Sequence, residues 1–268
     1  MTDPLARLDN LSQQFDSSAV LQQITTEVAK GDVIGLLGLN GAGKTTLLET
    51  LLGFALPSGG QAQLFGEAAS KLSSANKAKV GFVPQQDELL VQLTGQQNLA
   101  LLAAFYPSWD NALVAQLASE WDIPLKKRVA QLSVGQRQKL SILAALAHRP
   151  ALLILDEPVA SLDPLARRRF LQTLIGQITD THCTVIFSTH IVSDLERIAD
   201  RIWILKDGQL RIDCHLDDLK ESVFRLPAGA DTHGLDILHQ HQDGSLTVRG
   251  QGQGQPLGLE DIFLELHA

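Results

Sequence analysis

The sequence has few cysteines: only Cys183 and Cys214 occur among its 268 residues. Two thiols so far apart in the sequence indicate neither a disulfide framework nor a zinc site, which suits a reducing compartment. The chain also lacks a run of roughly 18 to 20 apolar residues, the length that a membrane-spanning helix needs. Its first residues, MTDPLARLDN, lack the basic segment and apolar run of a secretory signal. We therefore expect a soluble, cytoplasmic protein that reaches a membrane only through a partner.

The sequence has no excess of positive charge. Its 22 lysine and arginine residues face 30 aspartate and glutamate residues, which gives a formal net charge of −8 and a pI near 5.4. An acidic protein repels nucleic acids and anionic membrane surfaces. The basic clusters at residues 126–128 and 167–169 are typical of solvated loop or helix faces. We therefore expect no nucleic-acid partner.

Apolar residues are abundant, at 44% of the chain, and can form a substantial core. Short runs rich in Val, Ile and Leu recur, with helical patterns between them. They lie at residues 33–37, 80–83, 152–155, 184–187 and 202–205. Such runs are typical of strands buried on both faces of a mainly parallel sheet. The sequence therefore predicts an α/β fold.

Other segments predict additions to this sheet. Residues 6–28 mix polar and apolar positions and, with residues 62–65, predict a smaller antiparallel layer. Asp207-Gly208 is a hairpin turn signal after the last apolar run. We expect no internal repeat.

The stretch from residue 94 to residue 148 has helical spacing instead. Thr94-x-x-Gln97 and Ser133-x-x-Gln136 are capping boxes, which mark helix starts. The sequence therefore predicts a helical subdomain at about residues 86–150, inserted in the α/β core.

The composition changes again after residue 212. Residues 217–248 predict a small appendage, and residues 249–256, RGQGQGQP, have the composition of a flexible connector. Residues 259–266 predict a short amphipathic helix. We therefore divide the chain into residues 1–212 and a C-terminal extension, residues 213–268, whose role the sequence does not reveal.

The string GLNGAGKTT fits the pattern G-x-x-x-x-G-K-[ST] between a predicted strand and a predicted helix. A strand, a glycine-rich turn and a helix N-terminus in this order form a cradle for nucleotide phosphates. Lys44 can reach the terminal phosphates, and the Thr45 hydroxyl can bind Mg²⁺. The predicted phosphate-binding residues are Gly38, Leu39, Asn40, Gly41, Ala42, Gly43, Lys44, Thr45 and Thr46.

Two further motifs have chemistry that depends on this loop. The apolar run LLILDE ends in Asp156 and Glu157, which can hold Mg²⁺ and face an attacking water if the strand lies beside the glycine-rich turn. In LSVGQ, Ser133 can cap a helix whose N-terminus faces solvent and binds a phosphate presented by another molecule. Without the loop, these motifs would indicate an acidic turn and a simple cap.

Together these strings resemble the nucleotide-binding subunit of an ABC transporter. GLNGAGKTT is similar to the Walker A segment, LLILDE to the Walker B segment with its glutamate, and LSVGQ to the family signature, in the family's order. FVPQ at residues 82–85 resembles the glutamine loop, SLDP at 161–164 the D-loop, and FSTH at 187–190 the switch histidine segment. The resemblance extends from Leu5 to about residue 212. It implies a P-loop NTPase (RecA-like) core with an antiparallel β-subdomain, an inserted α-helical subdomain and a small C-terminal extension.

The resemblance also implies roles within one chain. Lys44 would bind the β- and γ-phosphates of ATP. Thr45 and Gln85 would be ligands of Mg²⁺, and Asp156 would hold the metal through water. Glu157 would polarise the attacking water.

Further implied roles concern the γ-phosphate and a second copy of the chain. His190 would contact the γ-phosphate. Ser133 and Gly135, in a signature that also includes Gln136, would bind the γ-phosphate of ATP held by the other subunit, and Asp163 would couple the two sites. ATP would thus be sandwiched in a head-to-tail homodimer.

Some of these assignments have alternatives. Gln85 competes with its neighbour Gln86 for the glutamine-loop position. Phe15 lies where the family has an aromatic under the adenine, yet a core phenylalanine fits its position nearly as well. Asp163 could simply begin a turn before proline. Val134 replaces a glycine of the most familiar signature, which puts only the local loop conformation in doubt.

Helical strings at residues 138–150, 163–171 and 259–266 resemble bacterial export-type ATPase subunits that pair with separate permeases. We therefore expect ATP-driven transport, with an integral-membrane permease as partner and a peripheral location on the inner face of the membrane. The alternative is a soluble ABC-type ATPase with a regulatory or assembly role and no transported solute. The single set of motifs and the lack of sustained heptads argue against translation-type and repair-type members of the family.

Overall fold

The computed structural model describes residues 3–16, 18–159, 162–252 and 254–267. The strands are β1 (Ala6–Phe15), β2 (Ser18–Val28), β3 (Val33–Leu37), β4 (Gly59–Leu64), β5 (Glu67–Ala68), β6 (Val80–Val83), β7 (Leu152–Asp156), β8 (Thr184–Thr189), β9 (Arg201–Lys206), β10 (Gln209–His215), β11 (Val223–Leu226), β12 (Asp236–Gln240), β13 (Leu246–Arg249) and β14 (Gln255–Pro256). The α-helices are α1 (Lys44–Leu51), α2 (Ser74–Lys77), α3 (Gly95–Ala103), α4 (Asn111–Glu120), α5 (Val134–Ala147), α6 (Pro164–Thr181), α7 (Val192–Ile198), α8 (Leu216–Ser222) and α9 (Leu259–His267).

A six-stranded sheet in the order β10-β9-β3-β8-β7-β6 forms the centre of the fold. Its strands pair in parallel except for β10, which returns antiparallel to β9 through the predicted turn at Asp207-Gly208. Each of the five apolar runs forms one of its strands. The predicted α/β class and the mainly parallel sheet are confirmed.

The register of the central strands brings three strand ends to one edge. Leu37 at the end of β3 pairs with Thr189 of β8, and Ser188 of β8 pairs with Asp156 at the end of β7. Because parallel strands run in the same direction, the segments that follow β3, β7 and β8 all begin at this edge. Ligands of open α/β sheets bind outside the carboxyl ends of the strands.

The central sheet separates two apolar cores, because successive side chains of a strand point to opposite faces. On one face, Ile154 and Ile186 pack with α1 and with an antiparallel sheet of order β2-β1-β4-β5. The predicted antiparallel layer is thus confirmed. On the other face, Leu153 and Phe187 pack with the helices that follow β6.

The helical segment contains α3, α4 and α5. Both predicted capping boxes are present: the side chain of Thr94 accepts from the N–H of Gln97, that of Ser133 accepts from the N–H of Gln136, and each glutamine side chain bonds back to its N-cap residue. The predicted helix starts are therefore confirmed.

The C-terminal part forms a third sheet, in the order β12-β13-β11-β14, followed by α9. The predicted amphipathic helix is confirmed: Leu259, Ile262, Phe263 and Leu266 are buried on one side of α9. These side chains belong to the same apolar core as α5, α6 and α7. The division that we propose between residues 212 and 213 falls within β10.

The flexible connector predicted at residues 249–256 has a partly different structure. Residues 249 and 255–256 lie in strands, because Arg249 ends β13 and β14 pairs with Phe224 and Arg225 of β11. A Cβ on Gly254 would lie 2.4 Å from the Phe224 ring, so the segment passes too close to β11 for any larger residue. Residue 253 lies outside the described residues. Composition suggested flexibility here because it does not report this long-range pairing.

The shared core predicts that α9 contributes to the stability of the central sheet. Leu259 is fully buried, whereas Leu264 on the same helix is 59% exposed. Leu259→Ala should lower the free energy of unfolding by about 2–5 kcal/mol because it leaves a cavity, and Leu264→Ala should change it by less than about 0.5 kcal/mol. Urea unfolding followed through Trp203, which is buried in β9, measures both values. Equal values for the two variants, or a separate transition for α9, would contradict the shared core.

Candidate functional site

The segment between β3 and α1 forms a cradle of backbone groups. Gly41 and Gly43 have φ angles of 82° and 102°, in the region that favours glycine. Gly43 is the N-cap of α1 and provides no side-chain cap, so the first N–H groups of the helix remain available for an anion. Lys44 is buried, and its Nζ donates to the carbonyl oxygens of Gly38 at 2.8 Å and Leu39 at 3.2 Å. In this arrangement the lysine folds back over its own loop.

A cavity of about 380 Å³ opens over this loop, within the range of ligand sites. Its walls include six of the nine predicted loop residues. The lining residues are Val20, Asn40, Gly41, Gly43, Lys44, Thr45, Thr46, Gln85 and Glu157. The structure thus brings the loop together with Gln85 and Glu157, which are distant in sequence.

Asp156, at the end of β7, is buried beside the loop. The Thr45 hydroxyl donates to its Oδ2 at 2.6 Å, and the Ser188 hydroxyl donates to its Oδ1 at 2.5 Å. Hydroxyl and carboxylate oxygens are the ligands that a hard cation such as Mg²⁺ prefers. Thr45 lines the cavity, and its hydrogen bond places Asp156 directly behind that wall.

Glu157 has an unusual backbone and an unusual environment. Its φ of 48° lies in the left-handed region, which costs about 1–3 kcal/mol for a residue other than glycine. Its N–H donates to the hydroxyl of Ser188 at 2.9 Å and contacts the carbonyl oxygen of that residue at 3.2 Å. These bonds to β8 hold the strained residue in place and direct its side chain toward the loop.

The Glu157 carboxylate is 7% exposed and lies between the side chains of Lys44 and His190. Its Oε1 is 3.3 Å from Lys44 Nζ, which is an ion-pair distance without hydrogen-bond geometry, so this oxygen has no hydrogen-bond partner among the described residues. Its Oε2 is 2.9 Å from Nδ1 of His190, whose side chain is partly exposed. One carboxylate oxygen of this cavity-lining residue therefore has an unused acceptor position among the described residues.

Gln85 follows β6 and lines the cavity, whereas its neighbour Gln86 lines an adjoining cavity together with Gln85 and Glu157. The structure therefore brings Gln85 to the loop. Val20 of β2 is a lining residue that the sequence did not suggest, because its position near Gly43 depends on the packing of β2 against the loop. No local pattern around Val20 could have indicated this contact.

The remaining predicted residues do not line this cavity. Ser133, Gly135 and Gln136 lie at the N-terminus of α5, and Asp163 is the N-cap of α6, where hydrogen bonds from the backbone N–H groups of Ala166 and Leu165 lower the pKa of its carboxyl. Phe15 lies on β1 and is 49% exposed. Val134, the first residue of α5, lines the adjoining cavity together with Gln85 and Glu157. Ser161 of the predicted D-loop lies outside the described residues.

The donor set fits a magnesium ion that is held partly by phosphate. The described ranges contain no group of three or more His, Cys, Asp or Glu side chains placed to hold a metal ion. Mg²⁺ usually needs no such cage, since one or two carboxylates and the substrate's phosphates suffice. No helix in the described parts of the chain has the length and apolar character needed to span a bilayer.

Comparison with known proteins agrees with this geometry. Residues 21–160 match the family described as ABC transporter. The chain is 31% identical over 228 residues to the ABC transporter ATP-binding protein YtrB of Bacillus subtilis, covering 85% of this chain and 78% of the relative. It is 33% identical to the Nod factor export ATP-binding protein I of Paraburkholderia xenovorans, covering 99% and 98% of the two chains.

The fold is also that of solved proteins. The structure of a bacterial ABC transporter cassette, determined as a dimer, superimposes with a TM-score of 0.72 at 24% identity and covers 79% of this chain and 98% of the other. A family match over more than half of the chain, a cavity above a phosphate-binding loop and a RecA-like sheet agree with one another. The chain belongs to the ABC transporter family and is an ATP-binding, ATP-hydrolysing subunit of that family.

Proposed function

We propose that this chain binds ATP in the cavity over the loop and hydrolyses it by in-line attack of water on the γ-phosphate. The observation that supports this proposal is the buried Glu157 carboxylate between Lys44 and His190, one oxygen of which has no hydrogen-bond partner in the part of the chain that the structure describes. Glu157 polarises the water, and His190 contacts the γ-phosphate. Catalysis then depends on positioning and on the stabilisation of charge.

We assign the other contacts to ATP by the elements that carry them. The loop N–H groups and Lys44 bind the β- and γ-phosphates. Phe15, half exposed on β1, stacks on the adenine. Thr45, Gln85 and Asp156 would hold Mg²⁺, which neutralises charge on the phosphates when it is bound. The Thr45–Asp156 hydrogen bond at the cavity edge supports the metal assignment.

We propose that two chains close head to tail around two ATP molecules. Ser133, Gly135 and Gln136 at the start of α5 do not line the cavity over the chain's own loop, and neither does Asp163, the N-cap of α6. Val134, in the middle of the signature, is exposed, which suits an apolar contact with a second copy. The α5 N-terminus of one chain therefore completes the phosphate site of the other. The solved cassette dimer of the same fold supports this arrangement.

We further propose that the dimer works with an integral-membrane permease, at the inner face of the membrane, and that transport is export. The relative named for Nod factor export supports the direction, since the alignment covers nearly all of both chains. An apolar groove on the surface supports the proposal of a permease partner. Its walls include Phe82, Leu89, Leu102 and Tyr106. Exposed apolar patches often mark protein interfaces, and here the exposed Phe54 contacts Phe82 at the groove.

The glutamate assignment predicts a slow but binding-competent variant. Glu157→Gln keeps the shape of the side chain but removes its negative charge, so the rate of phosphate release should fall by roughly 10²–10⁴-fold. The variant should also form a dimer with ATP and magnesium, measured by sedimentation. Glu120→Gln, at an exposed position of α4, is the control and should keep the full rate. Unchanged turnover in Glu157→Gln would exclude the assignment, and a strictly monomeric Glu157→Gln at high concentration would exclude the ATP-sandwich dimer.

The lysine assignment predicts a loss of affinity. Lys44→Ala removes a charge-assisted hydrogen bond of about 1.5–3 kcal/mol, so the dissociation constant for ATP should rise by roughly 10- to 100-fold. Isothermal titration measures the affinity, and Lys77→Ala on the exposed side of α2 is the matched control. An ATP affinity in Lys44→Ala equal to that of the control would contradict a phosphate-binding role.

The permease proposal predicts that binding of the membrane protein depends on the apolar surface beside the groove. Phe105 follows α3 and is exposed, as is Leu264 of α9. The wild-type chain, isolated from its native membranes in detergent, should bring with it an apolar multi-spanning protein that mass spectrometry identifies. Phe105→Asp should lose this protein and keep ATPase activity, whereas Leu264→Asp should retain it. A soluble partner instead would favour a regulatory or assembly ATPase.

A further inference from the structure

Asp194 is a buried carboxylate that the reaction described above does not use. It lies in the first turn of α7 and is 5% exposed. Its Oδ1 is 3.6 Å from Nε of Arg167, and its Oδ2 has no hydrogen-bond partner among the described residues. An ionised carboxylate is costly to bury unless it is paired and hydrogen-bonded. A buried polar atom left without a partner in a native structure therefore calls for an explanation.

The electrostatic surroundings connect Asp194 with the nucleotide site. Burial raises the pKa of its carboxyl, while the charges of Arg167, Arg197 and His190 act in the opposite direction and that of Glu157 adds to the rise. The field of the Glu157–His190 pair thus reaches Asp194.

The position of the pair in the fold suggests what it does. Arg167 lies in the first turn of α6, and its N–H donates at 2.8 Å to the carbonyl oxygen of Asp163, the N-cap residue. Asp194 begins α7, and its N–H donates at 3.2 Å to the carbonyl oxygen of Ile191, which directly follows His190. The ion pair therefore joins the start of α6 to the start of α7. One helix start carries Asp163, and the other follows His190.

A second ion pair of the same chain, with partly buried side chains, has a different hydrogen-bond pattern. Arg201 donates to both oxygens of Asp213, from Nε at 2.6 Å and from Nη2 at 2.8 Å, and its Nη1 donates to Asp32 at 3.2 Å. Those charged groups are fully hydrogen-bonded, as a stable buried pair requires. Asp194 and Arg167 have a single, longer contact. Among the described residues, Arg167 is the group within ion-pair distance of the Asp194 carboxylate, so the position of this carboxylate depends on the contact between the two helix starts.

We propose that Asp194 and Arg167 are a positioning pair, which sets where His190 lies relative to Asp163. The pair links the His190 turn, which would contact the γ-phosphate bound by the same chain, to the start of α6 at Asp163, which would face the second copy. Removal of either charge should let the His190 turn move away from the attacking geometry while ATP still binds to the loop. This inference rests on the hydrolysis and the dimer proposed above.

The test compares kcat with KM for ATP in the full-length chain. Asp194→Asn should lower kcat by roughly 10- to 100-fold, because small displacements of reacting groups have effects of that size, while KM should stay within about threefold, since the loop contacts are unchanged. Arg167→Gln should have the same effect. The double variant should be no slower than the slower single variant, because the two residues act as one unit.

Matched controls are available on the same two helices. Glu196 of α7 forms an ion pair with Lys220 at 3.1 Å on the surface, and Arg168 lies beside Arg167 on the exposed side of α6. Glu196→Gln and Arg168→Gln should keep the wild-type kcat. A kcat that falls equally in the controls would overturn the proposal, because it would show a general effect of lost charge.

Three further outcomes are decisive. A folded Asp194→Asn with wild-type kcat would overturn the positioning pair, as would fully multiplicative losses in the double variant. If Asp194→Asn does not fold, the kcat of Arg167→Gln alone tests the proposal. The Arg167 side chain is 19% exposed, so its replacement should destabilise the fold less than that of Asp194. A wild-type chain that does not hydrolyse ATP would instead refute the proposed function, which keeps the two failures distinguishable.

Discussion

Parallel pairing of β3, β8 and β7 is the constraint on which the nucleotide site depends. The pairs Leu37–Thr189 and Asp156–Ser188 fix the height at which each strand ends. A shift of one residue would turn Asp156 toward the opposite face of the sheet. The packing of the buried apolar side chains of these strands therefore determines where the polar residues at the strand ends lie. None of these buried aliphatic side chains lines the cavity over the loop.

At this edge, the fold keeps several unfavourable features close together. Glu157 has a left-handed backbone and an almost fully buried charge, and Lys44 is buried beside it. Each feature would be destabilising alone, yet the ion pair and the hydrogen bonds that the Glu157 N–H donates to Ser188 offset part of the penalty. Pre-organised charge of this kind lowers the reorganisation needed during reaction. The two cores on either side of the sheet supply the stability that such an edge requires.

Local signals predicted the parts of the fold that are themselves local. The five apolar runs, the capping boxes at Thr94 and Ser133 and the amphipathic pattern of α9 each depend on neighbouring residues, and each forms as expected. The loop and the strand end at Asp156 were also visible in the sequence. Long-range contacts were not: the approach of Val20 to Gly43 and the pairing of β14 with β11 join segments that no local pattern connects. The Glu157–His190 distance likewise follows from sheet register rather than from either motif.

The packing of α9 has a consequence for how fluctuations spread. Its apolar side chains share one core with Leu195 and Ile198 of α7, and Lys206 Nζ donates to the carbonyl oxygen of Leu266 at its C-terminal end. Segments that share a core tend to open together as one cooperative unit. Transient detachment of α9 would therefore loosen the helix that follows His190, and motion of the C-terminal segment would change the distance between His190 and Glu157.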